Sequence, residues 1–315
     1  MLSVVIPIYN EERSLGKLYD RLTKALSELE QSYEIIAVND GSSDNSLQKL
    51  RKLHEQDGRF KVLDFRRNFG QTAALAAGFD YARGDIIISI DADLENDPND
   101  IPRLLDKLEE GYDIVSGWRQ NRWGGGLFQK VVRRMPSEIA NVLVRKVTGL
   151  KLHDTGCTLK AYRAEVLENV ELYGEMHRFV PAIASRYGAK IAEIPVNYQP
   201  REFGSSNYGF SRTLRVLLDL ILLKFLLGYG TRPIQFFGLL GVGFGGFGFL
   251  FAAYLSFVKL GLGQDIGQRP LLLLAILLMV LGVQFVTMGL LGEIVMRTYF
   301  ESQDKKIYAV REYLN

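Results

Sequence analysis

The sequence predicts an α/β fold: a mostly parallel sheet domain, followed by an interfacial helix and two transmembrane helices. Three observations predict it. Short β-branched runs alternate with charged helical stretches through the first two-thirds of the chain. One of these runs, Ile86 to Ile90, is apolar throughout, as a strand covered on both faces must be, and Asp91, Asp93 and Glu95 stand at its end. Further on, the uncharged runs Pro233 to Val258 and Pro270 to Gly292 each exceed the roughly 20 residues that a helix needs to cross ~30 Å of hydrocarbon.

Taken in order, Leu2 to Ile8 reads as a buried strand, followed by the polar turn Tyr9-Asn10-Glu11-Glu12 and a helix from about Ser14 to Glu30. Tyr33 to Val38 is the second strand. It ends in Asn39-Asp40-Gly41-Ser42-Ser43-Asp44, whose Gly, Ser and Asp residues suit a tight turn into a helix. Lys61 to Phe65 is a strand, Gln71 to Tyr81 a helix, and Ile86 to Ile90 the central strand. Asp97 is placed to cap a helix from Pro98 to Glu109, with proline at its first position, and Asp113 to Ser116 is the next strand. Leu127 to Val147 reads as a helix and Ile191 to Gln199 as a strand. Between Ser211 and Leu227 the only charges are Arg212, Arg215, Asp219 and Lys224, the first three on one helical face, which predicts a helix lying on the membrane.

The expected domains are a sheet domain over 1–210, the interfacial helix over 211–230, the two-helix membrane domain over 231–298 and a tail over 299–315. A net charge of +2 averages two unlike parts, and nothing suggests nucleic acid as a partner. The single cysteine, Cys157, excludes an internal disulfide and fits a reduced compartment. No signal peptide precedes the strand at Ser3 to Ile8. Arg201, Arg212, Arg215, Lys224 and Arg232 precede the membrane pair and Arg297, Lys305, Lys306 and Arg311 follow it, while only Lys259 and Arg269 flank the connecting loop. That bias puts both ends in the cytoplasm. Gly241 and Gly245 have the small-x-x-x-small spacing, which allows close packing on the second helix or on another subunit as a homo-oligomer.

Strand periodicity would place Asp91, Asp93 and Glu95 on one side at the strand's carboxyl end, where open α/β sheets bind ligands. Three carboxylates there repel one another unless a cation sits among them. Mg²⁺ or Mn²⁺ suits oxygen donors and fills the rest of its shell with water and substrate phosphate. A solvated acidic loop leading to the capped helix is the plain alternative, but it leaves Asp91 and Asp93 unexplained. A dinucleotide-binding oxidoreductase would share the architecture. Its glycine-rich turn is missing after the first strand, where the chain has Pro7-Ile-Tyr9-Asn10-Glu11.

Pro7-x-Tyr9-Asn10-Glu11, Asn39-Asp40-Gly41-Ser42-x-Asp44, Arg67-Asn-x-Gly70, Asp91-Ala92-Asp93-Leu and Asp154-x-Gly-Cys157 occur in order along the chain. Together they resemble glycosyltransferase family two, and within it the polyprenyl-phosphate glycosyltransferases of the bactoprenol glucosyltransferase and dolichol-phosphate mannose synthase type. The resemblance implies a GT-A-like fold, with Pro7, Tyr9, Asn10, Glu11, Asp40, Arg67, Gln71, Asp91, Ala92 and Asp93 at the nucleotide sugar. It implies Asp93 and Glu95 at a Mg²⁺ or Mn²⁺ ion, and Asp91, Asp93 and Asp154 as catalytic residues. Arg119, Arg133, Ser137 and Arg201 would meet the acceptor phosphate. Glu95 stands where many relatives have Gln, and Asn39 where an acidic residue is usual. Asn207 replaces a Lys in Arg201-x-x-Gly204-x-Ser206-Asn207-Tyr208. His153, with no second histidine nearby, reads as structural.

The implied activity is inverting transfer of one sugar, glucose from UDP-glucose first and mannose from GDP-mannose second, to a polyprenyl phosphate at the cytoplasmic membrane face. A polyprenyl phosphate is already ionised at neutral pH, so Asp154 is expected to orient rather than to act as a strong base. A processive polysaccharide synthase would need more spans and an intact Gln-x-x-Arg-Trp, of which Gln120-Asn121-Arg122-Trp123 is one residue short. A non-catalytic membrane scaffold is the remaining rival.

Overall fold

The computed structural model describes residues 1–120, 149–150, 152–168, 170, 172, 174, 176–185, 187–200, 225, 229, 233–302 and 310–314. The expected helix over Leu127 to Val147, with Arg133 and Ser137, lies outside them, as do Arg201 and all of the interfacial helix except Phe225 and Tyr229.

The chain forms two compact units, Met1–Ile221 with Lys306–Asn315, and Leu222–Lys305. In the first, β1 (Leu2–Ile8), α1 (Leu15–Ser27), β2 (Tyr33–Asn39), α2 (Ser46–Gln56), β3 (Phe60–Phe65), α3 (Gln71–Tyr81) and β4 (Ile86–Ser89) follow the predicted alternation. A short 3₁₀ turn over Pro98–Asp100 leads into α4 (Ile101–Glu109) and then β5 (Ile114–Trp118). Asp97 caps that turn as expected, its carboxylate accepting from the Asn99 amide at 3.0 Å. After these come β6 (Lys160–Arg163), β7 (Ile191–Pro195) and β8 (Val310–Leu314).

The sheet order is β7-β5-β6-β4-β1-β2-β3-β8. β1 pairs in parallel with β2 and β4, and β2 with β3, so these carboxyl ends share one edge of the sheet. β1, β2 and β3 are buried along their whole length, as their largely apolar runs predict. α3 packs closely on β1 because Gly78 has no side chain: a Cβ there would lie 2.1 Å from Val5 Cγ1. One ion pair is buried within the sheet. Glu34 on β2 meets Lys61 Nζ at 2.8 Å and accepts from Ser3 Oγ at 2.6 Å and from the Arg83 amide at 2.7 Å.

Two features depart from the sequence reading. β6 inserts antiparallel between β4 and β5, a place no periodicity marked, since its four residues begin with Lys160 and end with Arg163. The expected tail over 299–315 contains β8, which pairs antiparallel with the edge strand β3, while the helix before it continues to Ser302.

The second unit holds two long apolar helices, Pro233–Leu262 and Pro270–Ser302, each with a stretch long and apolar enough to cross a membrane. Their seam is made of glycine. A Cβ on Gly241 would lie 2.7 Å from the Gly282 carbonyl oxygen, and one on Gly282 would lie 2.7 Å from the Gly245 Cα. The Gly241 and Gly245 pair is therefore taken up by the second helix of the same chain.

Candidate active site

Four βα connections border one cleft because their strands run in parallel. Pro7, Tyr9 and Glu11 reach it from β1, Asp40 from β2, Asn68, Gly70 and Gln71 from the segment after β3, and Asp91, Ala92 and Asp93 from the segment after β4. Eight of the ten residues expected at the nucleotide sugar line this cleft. Asn10 and Arg67 stand beside it.

Asn10 joins two loops. It adopts a left-handed backbone, φ 56°, which asparagine tolerates better than most residues. Its amide donates to Ser42 Oγ at 3.0 Å, and its side-chain oxygen accepts from the Ser43 amide at 2.8 Å. The Glu11 amide bonds Ser46 Oγ at 3.0 Å, so the turns after β1 and β2 form one surface. Arg67 packs its guanidinium over the Phe69 ring at 4.3 Å.

Asp40 fastens the third loop. Its two carboxylate oxygens accept from the Phe69 amide at 2.6 Å and the Gly70 amide at 2.9 Å. Burial pushes its pKa up, and those two amides only partly offset the rise. Gly41, at φ 65°, allows the loops to close, since a Cβ there would fall 2.4 Å from the Arg67 carbonyl carbon. Asn39 donates to Asp64 Oδ1 at 2.8 Å. An acidic residue at 39 would instead set two carboxylates against each other, which accounts for the asparagine.

Asp91 is held at both oxygens. Gln71 Nε2 donates to Oδ1 at 2.7 Å, and the Thr158 hydroxyl donates to Oδ2. Asp93 is buried at 6% exposure and accepts from the Glu95 amide at 3.0 Å. Glu95 points away to Arg119, Oε2 to Nη1 3.1 Å. The expected convergence of three carboxylates is thus corrected: β4 ends at Ser89 and Leu94 takes a left-handed φ of 62°, so strand alternation does not continue to Glu95. Among the described residues no group of three or more His, Cys, Asp or Glu side chains is placed to hold a metal ion. Asp91 and Asp93 still bring carboxylates to one cleft, and Mg²⁺ or Mn²⁺ needs only one or two such ligands beside substrate phosphate.

Arg119 and Asp154, expected at the acceptor, face each other. Burial works against the guanidinium charge, but Asp154 and its neighbours outweigh this and hold the Arg119 pKa above its usual value. Glu193 on β7 then holds Asp154 in place, accepting from the His153 and Asp154 amides, both at 2.9 Å. His153 Nδ1 lies 2.8 Å from Glu193 Oε2, and its ring stacks on Trp118 at 4.3 Å, in keeping with a structural role.

Three residues of this region carried no signal in the sequence reading. Thr158 sits one position past the Asp154-x-Gly-Cys157 motif and orients Asp91. Lys160, 2% exposed, donates to the Cys157 carbonyl, and burial pushes its pKa below the usual lysine value. Glu193 is an isolated acid in an otherwise apolar strand.

Comparison with known proteins identifies the family. Residues 3–171 match the model of Glycosyl transferase family 2. The chain is 45% identical over 315 residues, covering 99% of this chain and 92% of the relative, to the dodecaprenyl-phosphate galacturonate synthase of Rhizobium johnstonii. It is 39% identical over 313 residues, 99% and 93% of the two chains, to the undecaprenyl-phosphate 4-deoxy-4-formamido-L-arabinose transferase of Yersinia pestis. Among solved structures, glucosyl-3-phosphoglycerate synthase from Mycobacterium tuberculosis, in complex with Mn²⁺ and UDP-glucose, superposes with a TM-score of 0.54 at 19% identity, over 71% of this chain and 78% of that one. This last likeness concerns the fold. From the family match and the two full-length relatives, the chain belongs to glycosyl transferase family 2.

Proposed function

We propose that this protein transfers a single sugar from a nucleotide donor to a polyprenyl phosphate at a membrane surface, with inversion at the anomeric carbon. The observation that carries the reading is the single cleft in which Glu11, Asp40, Gln71, Asp91 and Asp93 meet from four separate βα connections. Both full-length relatives are named as polyprenyl-phosphate sugar enzymes, and the two long apolar helices fit a lipid acceptor.

Asp40 and the turn from Pro7 to Glu11 border the nucleotide, while Gln71 and Thr158 hold Asp91 in one orientation beside the sugar diphosphate. Asp93 is the residue best placed to hold Mg²⁺ or Mn²⁺, which when bound would stabilise negative charge on the departing nucleotide. The acceptor phosphate is anionic at neutral pH and attacks the anomeric carbon as the bond to the diphosphate oxygen breaks. No base is needed. Asp154, committed to Arg119, positions the acceptor side of the site rather than removing a proton. Arg133, Ser137 and Arg201 remain the proposed contacts to the acceptor phosphate, and the Lys/Arg bias favours a cytoplasmic catalytic domain.

Glucose from UDP-glucose follows from the family resemblance. The relatives' names favour a modified sugar, and 45% identity across the whole chain gives that reading the greater weight. A panel of radiolabelled UDP-glucose, GDP-mannose and UDP-galacturonate with undecaprenyl phosphate tests the proposal. One sugar per lipid is the expected product. Polymer, or donor hydrolysis without lipid labelling, would overturn it.

A further inference from the structure

The second apolar helix, Pro270–Ser302, has two faces of different use. One is the seam, where Ala275, Met279, Gly282 and Val286 lie against Gly241 and Gly248 of the first helix. At about 100° per residue, Gln284 falls on the far side of the helix from Ala275, Gly282 and Val286, and it is exposed. Leu273, Leu277, Val280, Thr287 and Leu291 share that side and are exposed as well. With Gln284 they are spaced alternately four and three residues apart, the pattern of a helix-packing seam. Gln284 is the anomaly on this face. The apolar span runs Pro270–Val295, and Gln284 lies near its middle, with 14 residues before it and 11 after. In ~30 Å of hydrocarbon, water is then roughly 15 Å away on either side, beyond the reach of a glutamine side chain. Thr287 satisfies itself, its hydroxyl donating to the Val283 carbonyl at 2.9 Å. Among the described residues the Gln284 carboxamide has no hydrogen-bond partner. An amide left bare in hydrocarbon is costly, so this one calls for a partner within the membrane.

The glycine face cannot supply that partner, because the first helix already fills it. We propose that Gln284 pairs with Gln284 of a second copy of this chain, so that two copies associate along the face from Leu273 to Leu291. The chemistry selects a second copy over another protein. A carboxamide both donates and accepts, so its natural complement is another carboxamide. Two copies inserted with the same topology hold residue 284 at the same depth, and a twofold axis along the membrane normal brings the two faces together. Leu277 and Val280 on one side of the amide and Leu291 on the other then pack on their own counterparts, and the single polar pair fixes the register. The proposal rests on the membrane reading of the two apolar helices and not on the sugar chemistry.

Added cysteines test the pairing, since Cys157 is buried. Leu277→Cys puts a thiol on the proposed face two turns before Gln284, and Leu290→Cys puts one on an exposed flank about 120° round the helix. Two differently tagged copies of each full-length variant are co-expressed, and the membranes are washed with alkaline carbonate and oxidised with copper phenanthroline. Leu277→Cys is expected to give an adduct carrying both tags, in several-fold higher yield than Leu290→Cys. Adding Gln284→Leu, which removes the carboxamide and keeps the bulk, should cut that yield several-fold. Gln284→Asn, which keeps a carboxamide, should retain most of it. Retention in the washed membrane shows that each variant is inserted. Equal yields at the two positions, a yield untouched by Gln284→Leu, or an adduct with a different protein in place of the second tagged copy would overturn the pairing. A chain removed by the carbonate wash would overturn the membrane reading and the proposal with it. The expected adducts from membranes that transfer no sugar to undecaprenyl phosphate would instead overturn the transferase reading and leave the pairing standing.

Discussion

Arg119 and Asp154 form a two-pronged ion pair, Nε to Oδ2 2.7 Å and Nη2 to Oδ1 3.1 Å, with the arginine only 6% exposed. Glu95 completes the guanidinium's contacts at 3.1 Å, and Glu95 also donates its amide to Asp93. The segment at Asp154 is thereby linked to the turn after β4 through the side chains of Asp154, Arg119 and Glu95. Removing one partner of a buried pair leaves the other charge uncompensated, which costs about 3–5 kcal/mol. Asp154→Ala is therefore expected to lower thermal stability markedly, together with activity. A variant with wild-type melting and a selective loss of turnover would show Asp154 acting as a base instead.

Glu34 carries a pH dependence that can be worked out in sign. Burial raises its pKa, but the bonds from Lys61, Ser3 and the Arg83 amide outweigh this and the net shift is downward. A carboxylate with a depressed folded-state pKa contributes stability above its unfolded value, near 4.5, and loses it as pH falls through the lower folded value. Glu34→Gln should thus be clearly less stable than wild type at pH 7, and the gap should narrow as the pH drops below the usual carboxylate range. Melting curves of both proteins across that range decide it, and a constant gap would refute the linkage.

The parallel core was legible because its signal is local: β1, β2 and β3 are largely apolar runs bounded by turn residues, and their parallel pairing brings the loop motifs together. What escaped the sequence depends on pairing across long separations. β6 is too short and too charged to announce itself, yet it carries Lys160 and follows Thr158 directly. β8 contains Arg311 and Glu312, and it becomes a strand only through pairing with β3, about 250 residues earlier in the chain. The expected convergence of Glu95 with Asp91 and Asp93 failed for a related reason: alternation predicts a side only while the backbone stays extended, and Leu94 ends that.

Asp93 gives the most direct test of the proposed chemistry. It is buried on the cleft, and no other carboxylate there shares its position next to the Glu95 amide. Loss of several kcal/mol of transition-state stabilisation corresponds to roughly a hundred- to a thousandfold in rate, at about 1.36 kcal/mol per tenfold. Asp93→Ala should fall in that range, and Glu95→Gln, which keeps the amide contact, should fall far less. Near-normal turnover by Asp93→Ala, or by wild type in excess chelator, would sink the metal-assisted mechanism.

The orientation proposed from the charge bias can be tested with single cysteines. Cys157 is fully buried, so it contributes little background to labelling of intact cells by an impermeant thiol reagent. Gln268 is exposed in the short connection between the two apolar helices, and Glu55 is exposed on α2 of the sheet domain. With the sheet domain on the cytoplasmic side, where nucleotide sugars are made, Gln268→Cys is expected to be labelled and Glu55→Cys spared until the cells are opened. Neither residue lines the cleft, so activity should persist in each variant and show that the label reports a folded protein. The opposite pattern would place the cleft outside the cell and remove the donor supply that the proposed reaction requires. Labelling of both positions in intact cells would show that the two helices do not carry the connection across the bilayer in the proposed sense.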